Sequence, residues 1–315
     1  MARAPLYAVV VLLATLLPHT AGAVAKGEER VLVILATSGP RPYSVSDVEE
    51  TARGANAFFQ RSSVNQVRLQ SDVTPWLSAF ASNPGCGGLT KESFEAVIAP
   101  ARLAASQAGY NPALYDQTVY ALAETRCAFH GETWGSEVML TRQPTLHVML
   151  HELGHTLGLG HAQATHCAAG PVRSGCDIDA TGDPLSPMGS GTMDFSAYEK
   201  VTLGWLPPQP RVTLPRRYTL ATPTYKTTLP QALVVETHQG AWWIEYRSIF
   251  RGLVIRYVGE AFSRSPFAAP SVLISRPTKS GRLWVARGET YRIPESLRVT
   301  LERAGTAQAT VRFRY

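Results

Sequence analysis

The segment HVMLHELGHTLGLGHAQ, residues 147–163, restricts the fold of this chain more than any other stretch. His151 and His155 are four residues apart, so an α-helix places both imidazoles on one face, one turn apart. Gly158 can adopt the left-handed conformation that ends a helix and turns the chain sharply. Such a turn brings His161 back toward the first two histidines. The segment therefore predicts a helix that ends at a glycine, with three imidazoles meeting beside it.

Three converging imidazoles are typical of a catalytic zinc site. Zn²⁺ prefers four tetrahedral ligands, and three histidines leave the fourth position open to solvent. Glu152 directly follows the first histidine, where a carboxylate can act as general base without binding the metal. We therefore expect one catalytic Zn²⁺ held by His151, His155 and His161, with Glu152 as the catalytic residue. The competing interpretation is a helix with incidental histidines, which the added glycine and third histidine disfavour.

The extended pattern H-E-x-x-H-x-x-G-x-x-H resembles that of the metzincin zinc endopeptidases. The later segments GDPLSPMG and DFSAYEKVTLGWL are similar to the gametolysin family in particular. In metzincins a tight turn after the third histidine carries a methionine beneath the metal, which corresponds to Met188 here, with Met193 as the alternative. The resemblance covers residues 31–206 and is strongest from His151 to Trp205.

This resemblance implies a secreted zinc-dependent endopeptidase that hydrolyses peptide bonds of extracellular or cell-envelope proteins. A zinc-activated water would attack the peptide carbonyl, with Glu152 accepting its proton. The strand around residues 134–140 is expected to offer its edge to an extended protein or peptide substrate, by analogy with metzincin clefts. Some metzincins carry a tyrosine two residues after the turn methionine. Ser190 occupies that position here, so no such tyrosine can be assigned.

The order of the predicted elements divides the chain into two parts. Up to residue 206, strands at RVLVILAT, NQVRLQSDV, QTVYALAE and WGSEVMLT alternate with helices, which is typical of an α/β domain with a mostly parallel sheet. The first helix is expected to have a capping box formed by Ser46 and Glu49. After the boundary segment PPQP, only strand-like runs separated by turn residues follow, which predicts a β-sandwich of seven or eight strands.

We therefore predict an α/β, metzincin-like catalytic domain with a mixed sheet and an active-site helix, followed by an all-β, sandwich-like C-terminal domain. The catalytic domain is expected to span residues 24–206 and the β-rich domain residues 207–315. Residues 1–23 have the layout of a cleavable secretory signal: a basic Arg3, a short apolar run and small residues at the end. The protein is then expected to be exported to the periplasm or the extracellular space, without a transmembrane segment.

The four cysteines form an even set in an exported chain, which predicts two disulfides. The candidates are Cys86, Cys127, Cys167 and Cys176, and the sequence permits three pairings of them. Proximity along the chain favours Cys167 with Cys176, which leaves Cys86 with Cys127. None of the four has the spacing of a zinc knuckle.

The charge of the two parts differs in sign. Residues 24–206 contain 12 Lys and Arg against 18 Asp and Glu, whereas residues 207–315 contain 17 against 6. A basic C-terminal domain can bind an anionic cell-envelope polymer. The alternative is an ordinary solvated surface whose arginines alternate outward along strands, and this is the more common case. Nothing in the sequence indicates binding of nucleic acid.

Two further features are expected to serve structure rather than binding. The acidic residues Asp177, Asp179 and Asp183 lack the spacing of a calcium-binding loop, so we interpret them as solvated loop acids. Trp242 and Trp243 could stack on envelope sugars. Because adjacent strand residues face opposite sides of a sheet, at most one of these tryptophans is expected to be exposed.

Overall fold

The structure of the protein is a computed structural model. It describes residues 26–86, 90–123, 125, 127–165, 177–259, 270–274, 281–293 and 297–315. The predicted signal peptide and the cysteines Cys167 and Cys176 lie outside these residues. Within the described part of the chain, no helix combines the length and the apolar character that crossing a bilayer requires.

The N-terminal part is an α/β unit built around one mixed sheet. Its strands are β1 (Gly27–Thr37), β2 (Val67–Val73), β3 (Leu77–Ser78), β4 (Gln117–Leu122), β5 (Gly131–Trp134) and β6 (Glu137–Leu140). They lie in the order β2-β1-β4-β6-β5, and β3 pairs with the end of β1. All pairs of neighbours are parallel except β5 with β6, which makes β5 an antiparallel edge strand.

Helices cover both faces of this sheet. The described helices are α1 (Val45–Ser62), α2 (Lys91–Gln107), α3 (Leu146–Thr156), α4 (Ala197–Thr202) and a 3₁₀ turn (Pro112–Leu114). Alternate residues of β1 enter two different cores: Val31 and Val33 pack with α1 and α3, whereas Leu32 and Ile34 pack with α2. Burial on both faces explains why the first strand is continuously apolar rather than alternating.

The start of α1 differs from the prediction. The capping box consists of Ser44 and Asp47, not Ser46 and Glu49: the Ser44 side chain accepts from the Asp47 N–H, and the Asp47 carboxylate accepts from the Ser44 N–H. Both pairs have the required three-residue spacing, so local sequence alone does not distinguish them. Starting at Ser44 includes Val45 in the helix, where it packs against the buried core.

The edge of the sheet also differs from the prediction. The sequence predicts one strand over WGSEVMLT, but the structure has a hairpin in which β5 ends at Trp134 and β6 begins at Glu137. Gly135 permits this tight turn because it adopts φ 60, which favours glycine. The strand over residues 137–140 is therefore covered by β5, and among the described strands residues 131–134 form the edge of the sheet.

The C-terminal part contains eight described strands after residue 206. They are β9 (Arg217–Ala221), β10 (Ala232–Thr237), β11 (Gly240–Arg247), β12 (Gly252–Val258), β13 (Ser271–Leu273), β14 (Thr290–Arg292), β15 (Arg298–Ala304) and β16 (Gln308–Arg314). One sheet has the order β14-β15-β16-β9. It shares a core with β10, β11 and β12, where Ile244 and Ile255 meet Val299 and Phe313. The protein is thus mixed α/β followed by two packed sheets, as a β-sandwich requires.

The second sheet of the sandwich joins the two parts of the chain. Its order is β10-β11-β12-β13-β7-β8, where β7 (Ala162–Thr165) and β8 (Ile178–Asp179) come before residue 206. β13 pairs parallel with β7, and β7 pairs antiparallel with β8. Because β7 directly follows His161, the C-terminal strands form a sheet with the segment that contains the third histidine.

A disulfide between Cys86 and Cys127 is present, which is one of the two bridges that proximity favours. The two cysteines are 41 residues apart, so the bridge closes a loop that includes α2 and β4. Cys127 also precedes β5 by a few residues, and the disulfide therefore anchors the segment that leads to the edge strand.

The double variant Cys86→Ala/Cys127→Ala should be less stable by about 2–4 kcal/mol, because the disulfide restricts the unfolded chain over a long loop. Urea unfolding of the oxidised wild-type protein and of the variant measures this difference. Equal midpoints with equal slopes would show that the bridge does not contribute to stability.

Candidate metal centre

The helix that carries the first two histidines has defined ends. The Thr145 side chain accepts a hydrogen bond from the Val148 N–H at 3.3 Å and caps the start of α3. At the other end Gly158 adopts φ 92, and the Leu159 N–H donates to the Gly154 carbonyl at 3.0 Å. This left-handed turn ends the helix and directs the following residues back along it, toward the positions where the imidazoles project.

The three histidines meet at one point. Each offers a ring nitrogen, and these nitrogens all lie within 4.8 Å of one another. The ring centroids of His151 and His155 are 4.8 Å apart, and that of His161 lies 5.2 Å from the first and 4.9 Å from the second. The rings therefore form a nearly equilateral triangle, so this cluster could bind a metal ion.

Hydrogen bonds to backbone carbonyls fix the orientation of two of the rings. His151 Nδ1 donates to the Pro187 carbonyl at 2.9 Å, and His155 Nδ1 donates to the Leu159 carbonyl at 2.8 Å. The proton then resides on Nδ1, and Nε2 keeps its lone pair for a metal. The two Nε2 atoms are 3.1 Å apart, close to the ~3.3 Å that separates two nitrogens of a tetrahedral zinc site. The residues present fit such an ion.

The environment of the cluster keeps the imidazoles neutral. Burial, together with the charges of the neighbouring histidines, lowers the pKa of His151 to about 3. Burial lowers the pKa of His155 to about 4 and also lowers that of His161. Metal ligation requires unprotonated imidazoles, so at neutral pH all three rings are in the form that binds a cation.

Glu152 lies on the same helix, buried against the edge strand β5. Its side chain is 6% exposed, and Thr133 Oγ1 donates a 2.6 Å hydrogen bond to its Oε2. Burial raises the pKa of Glu152 to about 7, the Thr133 hydrogen bond lowers it and the charge of Glu132 raises it. Gly131 leaves room for the carboxylate, since a Cβ atom there would collide with it. Sequence reasoning missed Thr133 and Gly131 because their contact with Glu152 depends on the hairpin.

Met188 lies beneath the helix, in the loop between β8 and α4. The methionine is fully buried, and its sulfur packs so closely on Gly154 that a Cβ atom there would collide with it. The Met188 carbonyl accepts from the Ala162 N–H at 2.8 Å, next to the third histidine. The alternative candidate, Met193, packs only at the edge of a separate apolar cluster. Met188 is therefore the methionine that contacts α3.

The same loop contains a buried ion pair, and the prediction that Asp183 is a solvated loop acid is wrong. Asp183 is not a solvated loop acid: it is 0% exposed, and Arg256, 1% exposed, donates to its Oδ2 from Nε at 3.0 Å and from Nη2 at 2.8 Å. The partner lies on β12, 73 residues later in the chain, and no local pattern reveals such a pairing. Asp177 and Asp179 are exposed, as expected of loop acids.

Further buried charges extend this pair into a network. Arg256 Nη1 donates to Glu245 Oε1 at 2.5 Å, and Arg247 Nε donates to the same oxygen at 2.8 Å. Burial alone would raise the pKa of Glu245, but the two guanidinium groups lower it to about 2. The other Glu245 oxygen accepts from the Ala197 N–H at 2.6 Å, at the start of α4. The network thus joins the methionine loop and α4 to strands β11 and β12.

The variant His155→Ala should lose its divalent metal. Outer-shell partners of a ligand already contribute about 10–100-fold to metal affinity, so removing a ligand should cost more than that. His147→Ala is the matched control: His147 lies on α3 one turn before His151, and its Nε2 donates to the Gly189 carbonyl at 3.0 Å. Metal analysis after dialysis should find about one ion per chain in the control. Full occupancy in His155→Ala would remove that residue from the centre.

Replacing Arg256 should destabilise the whole protein rather than one domain. Arg256→Met leaves the carboxylates of Asp183 and Glu245 buried without their shared cation, and breaking such a buried pair costs about 3–5 kcal/mol. The control Arg217→Met breaks an exposed pair with Glu302, where no resolvable change is expected. Thermal unfolding of both variants measures the effect, and equal midpoints would contradict it.

The described structure places all three predicted ligands and the predicted base at one site. Cys86 and Cys127 form a bridge, and Gly158 ends the helix that carries the site. Comparison of the chain with models of known protein families gives no match, and comparison with curated proteins gives no significant match. Overall sequence similarity therefore adds nothing to what the motif and the geometry of the site indicate.

Proposed function

We propose that this protein is a secreted zinc-dependent endopeptidase of the gametolysin type, acting on extracellular or cell-envelope proteins. The observation that carries the proposal is the triangle of neutral imidazoles, with Nε2 atoms of His151 and His155 3.1 Å apart, next to a buried glutamate on the same helix. A metal ion that only stabilises a fold needs no adjacent carboxylate with a raised pKa. The pairing of three ligands with a base favours catalysis.

The proposed reaction divides the work between the metal and the protein. A bound Zn²⁺ would supply a Lewis acid that acidifies water and polarises a carbonyl group. Glu152 accepts the proton released from the attacking water and passes it to the departing amine. Burial raises the pKa of this carboxylate, which makes it a stronger base than an exposed glutamate. The Thr133 hydroxyl holds the carboxylate in place throughout.

The edge strand β5 supports the choice of an extended peptide as substrate. Its one described pairing is with β6, so its other edge has backbone groups available to a peptide that adds as a further strand. Gly131 and Thr133, which contact Glu152, lie on this strand. A peptide bound along β5 therefore passes beside the proposed base, whereas the strand at residues 137–140 is shielded from that role.

The remaining assignments extend the same proposal. Met188 would be the turn methionine, residues 24–206 the catalytic domain and residues 207–315 the β-rich domain. Residues 1–23 would direct export, and the Cys86–Cys127 bridge suits an oxidising compartment. Binding of sugars by Trp242 and Trp243 has no comparable support, since Trp242 is 2% exposed and Trp243 packs against Tyr198 with ring centroids 5.3 Å apart.

The variant Glu152→Gln should retain zinc but lose hydrolysis of a mixed peptide library by about 10²–10⁴-fold, the usual contribution of a positioned general base. The matched control is Glu137→Gln, which changes another partly buried carboxylate; it accepts from Tyr120 Oη at 2.7 Å on the face of the sheet that packs against α2, opposite to α3. This control should cleave at the wild-type rate. Equal activity of Glu152→Gln, at equal zinc content, would falsify the proposed base.

A further inference from the structure

The outer face of the β14-β15-β16-β9 sheet carries a dense set of arginines. Along each strand the inward residues enter the shared core, and the outward residues are polar, as the alternation of the sequence predicts. The pairing register places six arginines and one glutamate, Glu302, on this face. The arginines are Arg217, Arg292, Arg298, Arg303, Arg312 and Arg314.

Three of these arginines form a row across neighbouring strands. Arg292 of β14 lies directly opposite Arg298 of β15, and Arg298 lies directly opposite Arg314 of β16. All three side chains are exposed. Because adjacent strands are ~4.8 Å apart, the row presents three like charges at short and regular intervals. Like charges directly opposite each other destabilise a sheet, so the fold itself gains nothing from this arrangement.

The row differs in its partners from two other arginines of the same face, Arg217 and Arg312. Arg217 Nε lies 2.6 Å from Glu302 Oε2, and Arg312 Nη1 lies 3.4 Å from Glu302 Oε1. Among the residues that the structure describes, none of the three arginines of the row has a carboxylate within ion-pair distance. Within that part of the chain, no carboxylate competes with an external anion for these three guanidinium groups.

We propose that the row Arg292–Arg298–Arg314 is a binding site for an anionic polysaccharide. Each guanidinium group can form paired hydrogen bonds with a sulfate, phosphate or carboxylate group. A linear polymer with repeated charges can bind all three groups at once, which a single small anion cannot. This site is independent of the proposed metal centre, since it lies on the side of the sheet that faces away from the shared core.

The chemistry of the rest of the face favours a polysaccharide over a single-stranded nucleic acid. The outward positions of the four strands hold arginine, threonine, glutamine, glutamate and one alanine and no aromatic residue, whereas single-stranded nucleic acids bind by stacking bases on aromatic rings. Next to the row, the hydroxyl groups of Thr290 and Thr300 lie 2.7 Å apart. Such hydroxyl groups can exchange hydrogen bonds with the hydroxyl groups of a sugar chain.

Binding of the full-length protein to dextran sulfate tests the proposal, with neutral dextran as the uncharged polymer of the same backbone. Isothermal titration calorimetry at several NaCl concentrations should show that the protein binds dextran sulfate and does not bind neutral dextran. Arg298→Gln, which removes the middle of the row, should weaken binding about tenfold or more and lower the slope of log Kd against log salt by about 1. Its thermal midpoint should not fall, because the change relieves repulsion.

Arg217→Gln is the matched control, because it removes the same charge from the same face where Glu302 already neutralises it. It should change the affinity less than about threefold. Three results would overturn the proposal: no binding at low salt, equal weakening by both variants, or tighter binding of a single-stranded DNA oligonucleotide that Arg298→Gln also abolishes. Equal binding by Glu152→Gln would show that the result does not depend on peptidase activity.

Discussion

The buried contact between Arg256 and Asp183 connects the C-terminal sandwich to the loop that contains Met188. Neither side chain is accessible to water, and the arginine comes from the C-terminal sandwich while the aspartate begins the loop that contains Met188. Removing either charge alone would leave the other buried in a medium that does not solvate it, which strongly destabilises the fold. The two predicted domains are therefore linked by a shared sheet and by shared charges, and the loop is held from outside its own domain.

That link has consequences for the three histidines. The Pro187 carbonyl, which orients His151, belongs to the loop that Arg256 fixes through Asp183. The Leu159 carbonyl, which orients His155, depends instead on the local turn at Gly158. One ligand is thus positioned by long-range packing and another by short-range backbone geometry. A site that is assembled in this way could bind a metal ion with little rearrangement, because the rings are neutral and already face one another.

Local sequence was sufficient for some of these features and not for others. The spacing of His151 and His155 predicts that both lie on one helix face, and Gly158 predicts where that helix ends. Both predictions depend only on residues within one or two turns. The start of α1 was misplaced by two residues because Ser44 and Ser46 offer equivalent caps. The burial of Asp183 depends on a partner 73 residues away, and the Arg292–Arg298–Arg314 row depends on strand register. Neither is encoded in a local pattern.

The central claim is that three imidazoles hold one zinc ion and leave a coordination position to solvent. Zinc K-edge X-ray absorption of the protein loaded with one equivalent of Zn²⁺ tests it most directly. The account predicts three imidazole nitrogens at about 2.0–2.1 Å, with multiple-scattering features of the rings, and one further oxygen ligand. A shell that contains sulfur, or fewer than three imidazoles, would contradict it.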